Sequence, residues 1–380
     1  MSYFPALRPS VKYLIEHHES HSSIAVGTAN FGIKLSGHSA ILFIQKANGQ
    51  KALADILSEI GISNSQALEI LQPLLTHNLL SLLTSPSLNS DKEIIDVATK
   101  VSLNRCEAEL NTLAWRNTSA PVRELGSRAD KAIIILGGNR LAFALFELFI
   151  SIGFHNCQIV EELNAGSKLS GDVAPELVGG TPFRMSDIGQ PIKSSIDRII
   201  REYSLNLAGI SVNGVTNKRK ENSPNELKSL STVVQPDNET KVKPLIISTT
   251  DLLPDQLLNL TIDGNVHLQI GSLSAGKVEI GPIVYPGKTP CYNCISLWKS
   301  EKSSEIRNLK VAHTVAPPLE LPAASVTYLA GLVVSLIDSY FAINKSFLIG
   351  SSLVINLLKP LEYLERFWQP NPKCGCLELL

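Results

Sequence analysis

The chain has 380 residues, a formal net charge of −1 and 44% hydrophobic residues. That length allows roughly two or three domains of about 100–200 residues each, with enough apolar mass to bury real cores. The near-neutral balance excludes a broadly basic nucleic-acid face, and the N-terminal MSYFPALRPSVKYLIEHH lacks the apolar run of a signal peptide, so a cytoplasmic protein is expected.

Residues 1–83 read as a small winged-helix unit. Val11–Glu16, Ser23–Gly27 and Phe31–Leu35 are predicted strands separated by turn residues. Ser39–Lys46 and Lys51–Ile60 are predicted helices, the second with Leu53, Ile56, Leu57 and Ile60 on one face. Ser63 is placed to cap a third helix, with Gln66 at the capping-box position. Leu68, Leu71, Leu75 and Leu79 would stripe it, and Pro73 is expected to kink it or end it early. His17, His18, His21 and His38 crowd this end. No thiolate or carboxylate spacing supports a metal there, so they are expected to be solvated.

Residues 84–130 are polar and mixed, with a helical run around Ile94–Arg116, and read as a connector. Lys131–Leu136 is a continuous apolar strand. It is followed by Gly137-Gly138-Asn139, an apolar helix to Ile152, and a strand Cys157–Val160 ending at Glu161 and Glu162. This is a strand–turn–helix–strand unit of a parallel, Rossmann-like sheet. Ile192–Tyr203 is a predicted helix, and Leu207–Val212 and Leu245–Ser248 are predicted buried strands. Residues 213–243 read as a flexible polar insertion whose Lys218-Arg219-Lys220 run is a solvated face. The apolar stretch Ala323–Ile337 is too short to span a bilayer comfortably and is ended by Asp338; a buried or dimer-forming helix is expected.

Six cysteines are present. Cys291-Tyr292-Asn293-Cys294 puts two thiolates on one tight turn, and Cys374-Gly375-Cys376 supplies two more. In a reducing compartment such pairs point to metal rather than disulfides. Four thiolates suit tetrahedral zinc and leave no open position, so the site reads as structural. Cys106 and Cys157 read as small buried hydrophobes. The glycine turn is weaker. Against G-x-G-x-x-G the chain has Gly137, Gly138, Asn139, Arg140, Leu141 and Ala142, and Asn139 stands where backbone should approach a pyrophosphate. A Rossmann-like sheet without nucleotide therefore stays open beside a nucleotide site. No Ser–His–Asp or Cys–His arrangement stands out.

HLQIGSLSAGKVEIGPIVYPGKTPCYNCISLW, with the terminal NPKCGC, resembles the ThiF-like proteins of thiazole/oxazole-modified peptide biosynthesis, which are relatives of the ubiquitin-activating-type adenylating enzymes. PALRPSVKYLIEHH through LLTHNLLSLL resembles the precursor-peptide recognition element that begins the stand-alone leader-binding members. The resemblance implies an α/β protein. A winged-helix recognition element (1–83) and a connector (84–130) would precede a ThiF-type domain (131–380) holding the four-cysteine zinc. It further implies a peptide groove between Phe31, Gly32, Ile33, Lys34 and Leu35 on the third strand and Gln66, Glu69, Ile70 and Pro73 on the third helix. The implied partners are the leader of a ribosomally made precursor peptide, a YcaO-type cyclodehydratase and a second copy of the chain, with no nucleic acid and no membrane. The implied function is non-catalytic: the leader is held while the cyclodehydratase makes azolines in the core.

The alternative is an ATP-dependent adenylating enzyme. The resemblance then puts Gly137, Gly138, Glu161 (ribose) and Lys193 (phosphate) on ATP, and Asp251 near Mg2+ and the reacting carboxylate, with Lys193 and Asp251 as the catalytic pair. The arginine-containing N-L-x-R-Q segment of that family is not recognisable in NAGSKLSGDVAPELVGG, and no conjugating cysteine is evident. A third reading is an assembly subunit without leader affinity.

Overall fold

The computed structural model describes residues 2–17, 22–84, 101–102, 104–116, 121–161, 171–205, 243–271, 275–301, 321–343, 346–359 and 361–376. Its contacts divide the chain into two compact units, with the boundary between Ser127 and Arg128. His18, His21, Glu162, Leu207–Val212, the insertion with Lys218-Arg219-Lys220, and the first part of the run from Ile94 lie outside the described residues.

The N-terminal unit begins with β1 (Phe4–Leu7), β2 (Lys12–His17), β3 (Ser22–Gly27) and β4 (Gly32–Ser36). Helices α1 (His38–Lys46), α2 (Leu53–Ile60) and α3 (Asn64–Thr76) follow, then β5 (Leu80–Leu83), α4 (Glu107–Trp115) and α5 (Pro121–Ser127). β2, β3 and β4 form an antiparallel sheet, and β5 returns to pair antiparallel with β1. Residues 107–127, read from the sequence as connector, belong to this unit as α4 and α5. The capping box forms: Ser63 N–H donates to Gln66 Oε1 at 3.0 Å, and Gln66 N–H to Ser63 Oγ at 3.4 Å. Pro73 does not end α3, which runs on to Thr76. The predicted leucine stripe is corrected too. The buried face is Ala67, Ile70, Leu71 and Leu74, while Leu68 is 61% exposed and Leu79 lies beyond the helix. At 3.6 residues per turn, the apolar positions 68 and 75 fall on the flank of that face rather than on it.

The C-terminal unit runs β6 (Ile133–Leu136), α6 (Arg140–Ser151), β7 (Cys157–Val160), α7 (Ile192–Tyr203), β8 (Leu245–Ser248) and α8 (Pro254–Ile262). It continues with β9 (Val266–Ile270), β10 (Lys277–Val284), α9 (Tyr292–Ser300), α10 (Ala323–Ile343), β11 (Ser351–Asn356) and β12 (Tyr363–Phe367). These strands make one seven-stranded sheet of order β12-β11-β10-β9-β8-β6-β7. β7, β6, β8 and β9 are parallel, and β9 through β12 are antiparallel. β6, β7 and β8 were expected as strands of a parallel sheet; β9 to β12 had no sequence prediction.

The mixed sheet is buried on one face by α6 and α10, with Phe143, Phe146, Leu329 and Val333 in that core. α10 is long and apolar enough to cross a membrane by length and composition, but its buried apolar residues pack into this core. Asp338 does not end it. The carboxylate is buried and meets Arg128 Nη2 at 2.6 Å, while Arg128 Nη1 donates to the Ile152 carbonyl at 2.7 Å. A charge inside an apolar helix is tolerated when it is paired and hydrogen-bonded in this way.

Candidate functional site

Three places in the fold carry the chemistry that the sequence singled out. The first is the free edge of β4. Among the described residues β4 pairs only with β3. Thr28 N–H donates to the Phe31 carbonyl at 2.7 Å, and Gly37 N–H to the Ser22 carbonyl at 3.0 Å. Antiparallel ladders alternate bonded and non-bonded pairs. Between those two bonds, Ile33 and Leu35 therefore turn their main-chain groups to β3, and Gly32, Lys34 and Ser36 turn theirs outward.

The ring of Phe31, 46% exposed, lies 4.9 Å from that of His77 at the end of α3. His77 marks the α3 flank that looks toward β4. At about 100° per residue this flank also carries Gln66, Ile70 and Pro73. Ile70 is buried in the core and Gln66 is held in the capping box, so neither has a free side chain. Glu69 is exposed and Pro73 half-buried. Lys34 Nζ pairs with Glu16 at 2.6 Å. Leu68 and Leu75 are exposed on the opposite flank, outside the predicted groove.

The second place is the carboxyl end of the parallel strands. β7 lies on one side of β6 and β8 on the other, so the chain reverses direction across the sheet at β6. Open α/β sheets bind ligands at such switch points. Gly137 follows β6 with φ of 139°, and a Cβ there would collide with Thr249 Oγ1. Only glycine fits that close approach. Glu161, after β7, brings its side chain within 3.8 Å of where a Gly138 Cβ would stand. Asp251, after β8, accepts from Gln269 Nε2 at 2.8 Å. Lys193 is exposed in the first turn of α7.

Asn139, which breaks the glycine pattern, is the N-cap of α6. Its Oδ1 accepts from Ala142 N–H at 3.0 Å and its Nδ2 donates to the Thr249 carbonyl at 2.9 Å. Arg140 directs its guanidinium to the carbonyls of Glu176, Val178 (3.1 Å) and Leu321 (3.3 Å). Sequence reasoning missed Thr249, Gln269 and the role of Arg140. The only sequence signal for Arg140 was a charged residue at the start of an otherwise apolar helix.

The third place is the cysteine corner. Cys291 is the N-cap of α9 and Cys294 sits one turn in. An Asn371 turn, with Lys373 N–H on Asn371 Oδ1 at 2.9 Å, brings up Cys374. Gly375 takes a left-handed φ of 67°, which lets Cys376 turn back. The four sulfurs lie within 4.8 Å of one another, with Cys291–Cys374 at 3.5 Å and Cys294–Cys376 at 3.4 Å. No other such group occurs among the described residues. A tetrahedral metal–thiolate shell with bonds of about 2.3 Å needs sulfurs about 3.8 Å apart, so the donor set fits and could bind a metal. Burial raises the Cys291 thiol and pushes Cys376 up to about 11. Cys374 goes the other way: burial opposes it, but the hydrogen bond from Asn293 and those inside the cluster lower it. Cys106 and Cys157 are buried elsewhere.

No protein-family model and no curated protein matches the chain. Solved structures do. E. coli MccB with succinimide matches at TM-score 0.60 and 14% identity, over 99% of this chain and 99% of that one. E. coli MccB with ATP matches at 0.59 and 14%, over 99% and 100%. The chain shares the MccB fold. The microcin C7 biosynthetic enzyme MccB in complex with N-formylated MccA gives 0.58 and 14%, again over 99% and 100%. The mixed α/β sheet of the C-terminal unit agrees with the ThiF-type fold expected from the sequence, and at these identities the likeness concerns fold alone.

Proposed function

We propose that this protein binds the leader of a ribosomally made precursor peptide on its N-terminal unit, read as a winged-helix recognition element. It then presents the core to a YcaO-type cyclodehydratase for azoline formation, the chemistry of bacteriocin and thiopeptide biosynthesis. The outward main-chain row of Gly32, Lys34 and Ser36 beside α3 carries this reading. An extended peptide can add there as a fourth strand, with Phe31 and Pro73 giving apolar contacts. Holding the core close to the enzyme raises its effective concentration. The MccB fold, found in a structure with N-formylated MccA, is compatible with a peptide partner. The cysteine corner holds a structural zinc, whose closed thiolate shell supplies stability and no catalysis.

Lys34→Pro tests the edge. Its N–H faces outward, so proline leaves the β3 ladder intact while blocking an added strand. Fluorescence anisotropy would use the labelled leader of a candidate precursor peptide. Lys34→Pro and Ile33→Asp should lose binding, while Lys34→Ala, which removes only the Glu16 pair, should keep it. Unchanged affinity in Lys34→Pro places the leader elsewhere.

One set of observations favours a second reading, ATP-dependent adenylation. Glu161 beside Gly138 and Asp251 held by Gln269 frame the switch-point crevice, and MccB has been solved with ATP. Lys193 and Asp251 would then be needed. Pyrophosphate exchange by the purified protein, without any cyclodehydratase, would select this reading over the first.

A further inference from the structure

Tyr292 lies between Cys291 and Cys294 as the first residue of α9, and its buried side chain reaches the sheet where β9 and β10 fall out of register. Ile270 faces Ile280 and Leu268 faces Ile283, so Gln269 alone stands opposite Gly281 and Pro282. A bulge of this kind interrupts the ladder. Gly271 N–H donates to the Glu279 carbonyl at 2.8 Å, so by alternation the Gln269 main chain also turns to β10. At the bulge Gln269 N–H donates to Tyr292 Oη at 2.6 Å, and Tyr292 O–H donates to the Pro282 carbonyl at 2.9 Å. One phenol thus closes the gap in the ladder. The Gln269 side chain carries the link onward. Its Nε2 donates to Asp251 Oδ1 at 2.8 Å, while its Oε1 is buried and finds no partner among the described residues. An apolar residue would fill this space without an unpaired carbonyl, which is costly to bury. What the amide supplies instead is a held Asp251 carboxylate. Neither the thiolate shell nor the leader groove uses these bonds.

We propose that Tyr292 and Gln269 are positioning residues for Asp251, and that they join the cysteine corner to the crevice. The corner fixes the start of α9 and with it Tyr292. The Tyr292 hydroxyl fixes Gln269 on β9, and the Gln269 amide fixes the Asp251 carboxylate. Metal held by the four thiolates then sets an acid to which it is not bound. The chemical meaning of this link rests on the adenylation reading, in which Asp251 stands near Mg2+ and the reacting carboxylate. Tyr292 also packs in the apolar cluster around Leu257 and Ile295. A tyrosine that only packed there could be replaced by phenylalanine with no effect on Gln269 or Asp251, and this separates the two roles.

Glutamine-selective 15N labelling of the full chain tests the link without any turnover. The Gln269 side-chain amide, identified by its loss in Gln269→Met, should be displaced from the free-glutamine position in the wild type. Tyr292→Phe and metal chelation should each move it back toward that position. The Gln158 amide, on β7 of the same sheet, should stay in place and show that the sheet persists. Pyrophosphate exchange is the second readout. Losing the partner that orients a metal-side carboxylate lowers activity about tenfold or more. Tyr292→Phe and Gln269→Met should therefore each lower kcat about tenfold with the KM for ATP unchanged. The double variant should be no slower than Gln269→Met, because Tyr292 acts through Gln269. A Gln269 amide that Tyr292→Phe or chelation leaves unmoved overturns the proposal, and so do additive losses of kcat. Should Tyr292→Phe fail to fold, chelation of the wild type decides alone. A wild type with no pyrophosphate exchange removes the adenylation reading, and the amide signal still decides the positioning.

Discussion

The cysteine corner and the glycine-turn crevice belong to the same sheet, and they differ in how their polar groups are satisfied. At the corner, Cys291, Cys294, Cys374 and Cys376 turn four sulfurs toward one another. Burial raises the Cys291 and Cys376 thiols, and from outside the set Asn293 Nδ2 donates to Cys374 Sγ at 3.2 Å. In the crevice the named side chains find partners within the chain, save Gln269 Oε1, which is buried without one. Asn139 caps α6, Arg140 is bound to three carbonyls, and Gln269 holds Asp251. Four sulfurs converging on one point have the geometry to hold an outside ion. A set satisfied largely from within has less need of a ligand, whatever its ancestry.

Metal removal is the strongest way to break this contrast. Structural zinc supplies on the order of 10 kcal/mol to the smallest metal-folded domains. Here the sheet has its own core, so the loss should fall first on α9 and the C-terminal segment. Trp298 Nε1 donates to the Gln369 carbonyl at 2.8 Å across that joint, and Trp368 Nε1 to Ser352 Oγ at 2.9 Å. Chelation, or Cys294→Ser, should red-shift tryptophan emission before global unfolding and release one zinc per chain. Trp115→Phe removes the remaining tryptophan background. Unchanged emission and stability on chelation would show that the four thiols are only packed together.

His267 sharpens the contrast, because it lies beneath the cysteine helix with its ring 5.7 Å from that of Tyr292. It is buried, its Nδ1 faces the Asn265 carbonyl at 2.8 Å, and burial lowers its pKa to about 4. The unfolded chain then binds the proton more tightly, with a pKa near 6.5. Stability from this residue is full above about 6.5 and is lost progressively as pH falls toward 4. Two to three pH units correspond to about 3 kcal/mol at the acid end. Denaturation midpoints of wild type and His267→Gln, compared from pH 7 to pH 4, should converge as the wild type loses this contribution. Parallel profiles would mean that His267 titrates normally in the fold.

These sites were unequally legible in the sequence. The cysteine corner was readable because two close cysteine pairs are rare and their spacing carries geometry. β7, β8 and α7 fell on their predicted bounds, since a continuous apolar run or a strong helical period is a local signal. Burial decided by distant partners was not readable. Asp338 reads as the end of an apolar stretch until Arg128, far away in sequence, is placed beside it. Leu68 and Ile70 are equally apolar on α3, and only the packing of α3 on its sheet sends one out and the other in. The strands β9 to β12 were not legible, since their pairing is set by partners distant in sequence such as β10 with β11. Asn139 was visible as a break in a pattern, but its hydrogen bonds to Ala142 and Thr249 were not.

Asn139 also gives the smallest and most discriminating effect. Asn139→Gly restores the glycine of the dinucleotide pattern. It removes the Oδ1 cap, a change that costs only a few tenths of a kcal/mol when glycine replaces asparagine. It also removes the Nδ2 bond to the Thr249 carbonyl, a neutral hydrogen bond contributing about 1 kcal/mol. The expected loss of stability is therefore about 1 kcal/mol, seen as a small shift of the urea midpoint. The gain is an uncovered α6 N-terminus, whose freed N–H groups and helix dipole favour phosphate. Titration calorimetry with ATP and Mg2+ should detect tighter binding in Asn139→Gly than in the wild type. If the wild type binds ATP as tightly as the glycine variant, the Asn139 side chain does not close the crevice. The glycine turn would then belong with the cysteine corner, as a second place on this sheet that waits for a ligand.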